Sequence, residues 1–122
     1  MSITLSSVVV DAAEIETESA FWHRLLGGSI HRTPAHHFVQ APGLPVLVVQ
    51  SAPGHTAPTW PDGASQQMHL DFRVTDLAAA DRRAADAGAT RLRPTEEVTA
   101  ETRTGGRVYA SPAGHPFCLR AA

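Results

Sequence analysis

The sequence predicts an α+β fold in which a strand–helix–three-strand unit occurs twice. Three observations carry this. A β-branched run, an amphipathic run and three short strands follow one another before residue 53, and the same order recurs after residue 66. The copies fall into step when "SSVVVDAAE", starting at Ser6, is laid over "MHLDFRVTD", starting at Met68. Between them "PGHTAPTWPDGASQ", residues 53–66, is dense in chain breakers.

Taken in order, "ITLSSVVVDA" at 3–12 is β-branched and reads as the first strand. "EIETESAFWHRLLGG" at 14–28 reads as a helix. Ile15, Phe21, Trp22, Leu25 and Leu26 approximate one 3.6-residue stripe, acids crowd the first turns, and Gly27-Gly28 stops it. That stripe makes Trp22 a core or interface residue. Strands are expected at 29–33, 36–41 and 45–52, with Pro34, Pro42, Gly43 and Pro45 in the turns. In "QQMHLDFRVTD", 66–76, Met68, Leu70, Phe72 and Val74 alternate with Gln67, His69, Asp71 and Arg73, so a strand there has one apolar and one polar face. "LAAADRRAADAGA", 77–89, is an Ala-rich helix ended at Gly88, with Arg82 and Arg83 offset by Asp81 and Asp86 on a solvated face. Strands at 90–93, 106–110 and 116–120 complete the second copy, and 94–106 is a polar loop. The connector is long for a small domain, a length at which loops often carry function.

The 122 residues suit one domain, 1–122, with a first module at about 1–52, the connector at 53–66 and a second module at about 67–122. Such a chain buries roughly 65% of its unfolded surface, enough for a core without staples. Net charge is −2 and the basic residues are scattered, which argues against nucleic acid and membrane as partners. One cysteine excludes an internal disulfide and every multi-Cys zinc motif. "MSITLSSVVV" lacks the basic start of a signal peptide, and no run reaches the ~20 apolar residues of a membrane span, so the expected location is the cytoplasm. Gly27-Gly28 and Gly105-Gly106 are stop and hairpin signals rather than phosphate loops.

Three segments, "AFWHRLLGG", "QQMHLDFRVTDLAAADRRAADAGAT" and "GRVYASPAGHPFCLR", resemble the vicinal oxygen chelate superfamily of glyoxalase I, extradiol dioxygenases and bleomycin-resistance proteins. The likeness is greatest to its small glyoxalase-like members and spans nearly the whole chain. The resemblance implies paired βαβββ modules forming a curved mixed sheet with a concave ligand cup, and a homodimer. It implies little about activity, because the fold hosts many.

In metal-dependent members of that superfamily, His, Glu, His and Glu on the first, fourth, fifth and eighth strands typically hold one divalent ion. Carried onto this chain, the first position falls on Ser7, the second near Gln50, the third on His69, and the fourth on Cys118, six residues after Pro112. Only His69 keeps the ligand type. Ser7 and Gln50 are neutral, so His69 and Cys118 supply two donors at best where a catalytic zinc wants three. The expected metal and cofactor complement is therefore none. A divalent Zn, Ni, Mn or Fe ion is the alternative, including a relocated site through His37, His55 or His115. His36 and His37 are adjacent and alternate faces, so only one enters the cup.

His69 reads as a hydrogen-bonded cup wall or as a general base titrating near neutral pH. Asp71 shares its face and either orients it or is solvated at the rim. Cys118 is an ordinary small buried group or a thiol activated by His69. Arg120 takes an anionic ligand or ends its strand in solvent. Trp60, between Pro58 and Pro61, is a lid or stacking platform, or a staple for the connector. Val9 and Val48 are the apolar wall candidates, and Gln50, His69 and Arg120 the polar ones. Alternation does not set the facing of Phe38 and Tyr109, and His115 belongs to a turn. The leading expectation is a metal-independent small-molecule-binding protein of the glyoxalase/bleomycin-resistance type that sequesters, or protects against, a small organic metabolite. Its ligand-binding residues are Ser7, Val9, Val48, Gln50, Trp60, His69, Asp71, Cys118 and Arg120. The alternative is a lyase, isomerase or dioxygenase-like enzyme using His69, with Cys118, as general base or metal ligand. A third reading is a closed cup in a protein that acts through its surface.

Overall fold

The computed structural model describes residues 2–59, 63–96, 98–99 and 106–121. The elements are β1 (Ser7–Ala12), α1 (Ile15–Leu26), β2 (Ser29–Arg32), β3 (His36–Gln40), β4 (Val46–Ser51), β5 (Leu70–Val74), α2 (Leu77–Ala87), β6 (Thr90–Arg93), β7 (Gly106–Ala110) and β8 (Pro116–Ala121). This is an α+β chain with the βαβββ order used twice. It divides into two compact units, Met1–Thr56 and Ala57–Ala122, with the division inside the proline-rich connector. Among the described residues no helix is long and apolar enough to cross a membrane.

In the first unit the strand order is β1-β4-β3-β2, with β1 parallel to β4 and the other pairs antiparallel. A parallel pair needs a crossover, and α1 begins it, packing on β3 and β4. Phe21, Trp22 and Leu25 of α1 are buried, as are Val39, Leu47 and Val49 of the sheet. Each such side chain contributes about 1.5–3 kcal/mol by leaving water. Trp22 is thus a core residue, and its indole N–H donates to the buried Glu18 at 2.9 Å. The helix stops at Gly27 and Gly28, both at φ +78°. A Cβ on Gly28 would collide with the Gln40 carbonyl oxygen, so the close approach of this turn to the end of β3 requires glycine.

The second unit repeats the arrangement, in the order β5-β8-β7-β6 with β5 parallel to β8. Asp76 caps α2, its Oδ1 accepting the Ala79 N–H at 3.0 Å, and Gly88 at φ +122° ends it. Beneath the helix, Phe117 stacks on Tyr109 with ring centroids 5.3 Å apart and meets Phe72 edge-on at 6.2 Å.

Three sequence expectations are corrected here. Asp81 does not lie on the solvated face of α2 but is fully buried. It accepts the Tyr109 hydroxyl at 2.7 Å and both Arg91 Nε and Nη2, at 3.0 and 2.8 Å. It sits four residues after Leu77 and three before Ala84, on the helix's own buried stripe. Small alanines around it let the carboxylate sink onto the sheet. The strands expected at 3–12 and 66–76 are shorter, starting at Ser7 and Leu70. Their partners begin just after Pro45 and at Pro116, and a proline has no N–H with which to extend a ladder. Met68, expected on the apolar face, precedes the strand and is 78% exposed.

Candidate functional site

In each unit the helix covers one face of its sheet, and strand alternation sends the remaining side chains to the other. On the helix-free face of the second unit stand His69, Asp71 and Arg73 from β5 and its approach, and Cys118 and Arg120 from β8. Parallel register sets Asp71 opposite Cys118 and Arg73 opposite Arg120. The alternation of 66–76 is what brings these groups to one side.

Four of them form a connected cluster. His69 Nε2 lies 3.5 Å from Asp71 Oδ1, and Arg120 Nε donates to Asp71 Oδ2 at 3.3 Å. The Cys118 thiol hydrogen-bonds the same carboxylate. Desolvation works against ionisation of Asp71, but the thiol, the guanidinium and the imidazole together hold its carboxyl below its ordinary value. Burial pushes the Cys118 thiol up, and the hydrogen bond and charge of Asp71 add to this, with only Arg120 opposing. The protein therefore keeps Cys118 as a thiol at neutral pH, and the Asp71 charge counters the activation by His69 considered from sequence. Arg120 lies across Gly106 of the neighbouring β7, where a Cβ would come within 3.0 Å of its Nη1 and 3.2 Å of its Cγ. Arg73, its neighbour on β5, has no ion-pair partner among the described residues.

The helix-free face of the first unit carries Ser7, Val9 and Asp11 from β1, Val48 and Gln50 from β4, and His36 and Phe38 from β3. A polar row crosses it: His36 Nε2 lies 3.2 Å from Gln50 Oε1, and Gln50 Nε2 donates to Asp11 Oδ1 at 3.3 Å. Phe38 joins this face beside His31 and His36, whereas Tyr109 is buried beneath α2. His37 takes the helix side, buried, with its Nδ1 2.6 Å from Ser19 Oγ. Of the adjacent pair, only His36 reaches the helix-free face.

Register also gives the internal counterparts of these residues in the first unit. Val9 opposes Val48 as Asp71 opposes Cys118. With Ser7 laid over His69, the internal counterpart of Cys118 is Val48, and that of Arg120 is Gln50. By this internal symmetry the residue of β4 matching Cys118 is a valine, two residues before Gln50. Of these two first-unit side chains, Ser7 offers one neutral hydroxyl and Val48 no donor atom, which is a weak grip for a dication. The second unit has one more donor than was counted from sequence. His69, Asp71 and Cys118 each offer a ligand atom, all within 4.8 Å of one another, the one such group among the described residues.

One contributor was missed in the sequence. Asp71 was counted among the ligand-binding residues, but Arg73 was placed on the polar face without a role, although it shares the parity of His69, which was the available signal. Trp60 lies outside the described residues.

Residues 7–120 match the family model of the glyoxalase-like domain. No curated protein matches the sequence significantly. Among solved structures, a glyoxalase/bleomycin resistance protein/dioxygenase family enzyme from Burkholderia phytofirmans PsJN is similar at a TM-score of 0.70 and 19% identity, with 98% of each chain covered. The fosfomycin resistance protein FosX from Listeria monocytogenes gives 0.73 at 14% identity, covering 100% of this chain and 95% of that one. A glyoxalase-related enzyme from Fulvimarina pelagi gives 0.69 at 19% identity, covering 98% and 88%. At these identities the likeness is one of fold.

Proposed function

The chain belongs to the glyoxalase-like domain family, and from that premise we propose that it binds a compact anionic organic molecule on the helix-free face of β5 and β8. The observation that carries this is the pair of arginines at matched register, Arg73 and Arg120. One is already oriented by Asp71, and the other has no partner among the described residues. Two arginines on neighbouring strands suit a carboxylate or an oxyanion of phosphorus, which guanidinium groups bind with paired N–H donors. His69 adds a further polar contact. Cys118 serves as a neutral wall of this site, while Ser7, Val9, Val48 and Gln50 stand on the first unit's own helix-free face as candidates for ligand contact there.

Binding in this reading does not depend on a metal held at the four positions implied by the resemblance: Ser7 offers only a neutral hydroxyl, and Val48, the β4 counterpart of Cys118, no donor atom. Sequestration of a reactive or toxic metabolite is its use, and the working form is a homodimer, checked by light scattering on the eluting protein. The test of the site is calorimetric titration of chelator-stripped protein with a panel of small carboxylates and phosphonates. Arg73→Ala and Arg120→Ala should each weaken the best binder about 10–100-fold, the range expected for losing a charged hydrogen bond, and raised salt should weaken it further. Undiminished binding by the double variant refutes the site.

A second reading has one observation in its favour. The Asp71 carboxylate beside His69 resembles the pairing that orients a general base. If a converted substrate is found, His69→Ala should reduce turnover by two orders of magnitude or more; unchanged turnover removes this role.

A further inference from the structure

We propose that Arg93 forms a second anion subsite on the helix-free face of the second unit, so that the preferred ligand is a compact dicarboxylate rather than a single carboxylate. This deepens the anion-binding reading of Arg73 and Arg120 and rests on it.

A β-bulge carries the argument. Along β6 and β7, Thr90 opposes Ala110 and Arg91 opposes Tyr109, but the next pair joins Arg93 to Val108 and leaves Leu92 as an extra residue. Val108 in turn opposes Cys118, and Cys118 opposes Asp71. Cross-strand partners share a face, so Arg93 stands on the same side of the sheet as Arg73 and Arg120. In an unbroken ladder Leu92 would take that place. Arg93 would then oppose Arg107, and like charges directly opposite one another are unfavourable. Bulges recur beside binding sites, where they re-aim a side chain. Arg91 stays on the helix side with buried Asp81, so the bulge divides two nearby arginines between a structural task and an open face.

Arg93 is exposed, and its side chain has no hydrogen-bond or ion-pair partner among the described residues. Among those residues the face carries three arginines against one carboxylate, Asp71, in a chain whose net charge is −2. Their spacing selects the ligand. Arg73 and Arg120 are on adjacent strands, whereas β6 lies two strands beyond β8. Two strand spacings put the backbones of Arg93 and Arg120 about 10 Å apart. One carboxylate held between Arg73 and Arg120 leaves Arg93 unused. The ground between is small and apolar: Val108, and Gly106 with Arg120 lying across it. A dicarboxylate the size of glutarate or adipate rests its methylene chain there and presents its second carboxylate to Arg93.

The test is calorimetric titration of chelator-stripped, full-length protein with butyrate, glutarate and adipate at constant ionic strength. The better dicarboxylate should bind about tenfold or more tighter than butyrate, the worth of one charged hydrogen bond. Arg93→Ala, with its fold checked by circular dichroism, should erase that advantage and leave butyrate affinity within about twofold of wild type. Arg93→Lys should restore part of it. Arg73→Ala and Arg120→Ala should weaken all three acids. A wild type without the preference, a preference that survives Arg93→Ala, or an equal loss of butyrate and dicarboxylate in that variant overturns the Arg93 subsite and leaves the Arg73–Arg120 reading standing. Undiminished binding of every acid by the Arg73→Ala, Arg120→Ala double variant overturns both.

Discussion

Replacing Asp81 should cost this protein more stability than any exposed charge would. The carboxylate is fully buried and accepts side-chain hydrogen bonds from the Tyr109 hydroxyl and from two nitrogens of the Arg91 guanidinium. Asp81→Ala removes the buried acceptor of the Tyr109 hydroxyl and of two Arg91 guanidinium nitrogens. Removing one partner of a buried pair typically costs about 3–5 kcal/mol. A quarter of the Arg91 side chain reaches water, which recovers part of that loss, so we expect about 3 kcal/mol. For a chain of this size that corresponds to a fall in Tm of roughly 12 °C. Tyr109→Phe removes one hydrogen bond and keeps the ion pair, and should cost about 1–2 kcal/mol.

The pH dependence has a definite sign. Burial opposes ionisation of Asp81, but Arg91, Tyr109 and a backbone bond from Val98 outweigh it and hold its carboxyl below the ordinary value. A depressed carboxyl stabilises the fold above its unfolded pKa of about 3.9, and that stability is lost as pH falls through the folded value. Urea unfolding followed by tryptophan fluorescence at pH 7 and near pH 3 measures both effects. The wild type should lose its advantage over Asp81→Asn at the acid end. A loss below about 1 kcal/mol for Asp81→Ala at pH 7, with an unchanged denaturant slope, would refute this account of the second core.

Other outcomes follow from the same geometry. Cys118 should react slowly with iodoacetamide at pH 7 because burial and Asp71 raise its thiol; Asp71→Asn should speed alkylation severalfold, and Arg120→Ala should slow it. Gly28→Ala should destabilise by several kcal/mol, since it adds a left-handed backbone penalty to a clash with the Gln40 carbonyl; thermal unfolding within 3 °C of wild type would contradict it. Ser19→Ala removes the partner of buried His37 and should cost about 1–3 kcal/mol in urea unfolding. Gly106→Val should displace Arg120 and weaken anion binding while leaving Asp71→Asn-type effects on alkylation intact, read by titration and thiol kinetics on the same preparation.

The repeated βαβββ order was legible because its signals are local. Apolar period, glycine stops and proline turns depend on neighbours a few residues away, and they placed every element of the structure within a few residues at each end. The polar parity of His69, Asp71 and Arg73 was equally local, as was the opposite facing of His36 and His37. What the chain could not declare by itself was register. The pairing of Asp71 with Cys118, and of Val9 with Val48, is set by hydrogen bonds between strands roughly 40 residues apart, and a shift of one residue reverses every face. That is why the β4 counterpart of Cys118, Val48, and the meeting of Asp71 with Cys118 emerged only once β4 lay beside β1 and β8 beside β5. Burial of Asp81 has the same origin: its stripe on α2 was readable, but the hydroxyl and guanidinium that make a buried carboxylate tolerable arrive from β7 and β6. Sequence determined which side chains share a face; tertiary structure decided which of them meet, because meeting requires long-range strand pairing that no local pattern encodes.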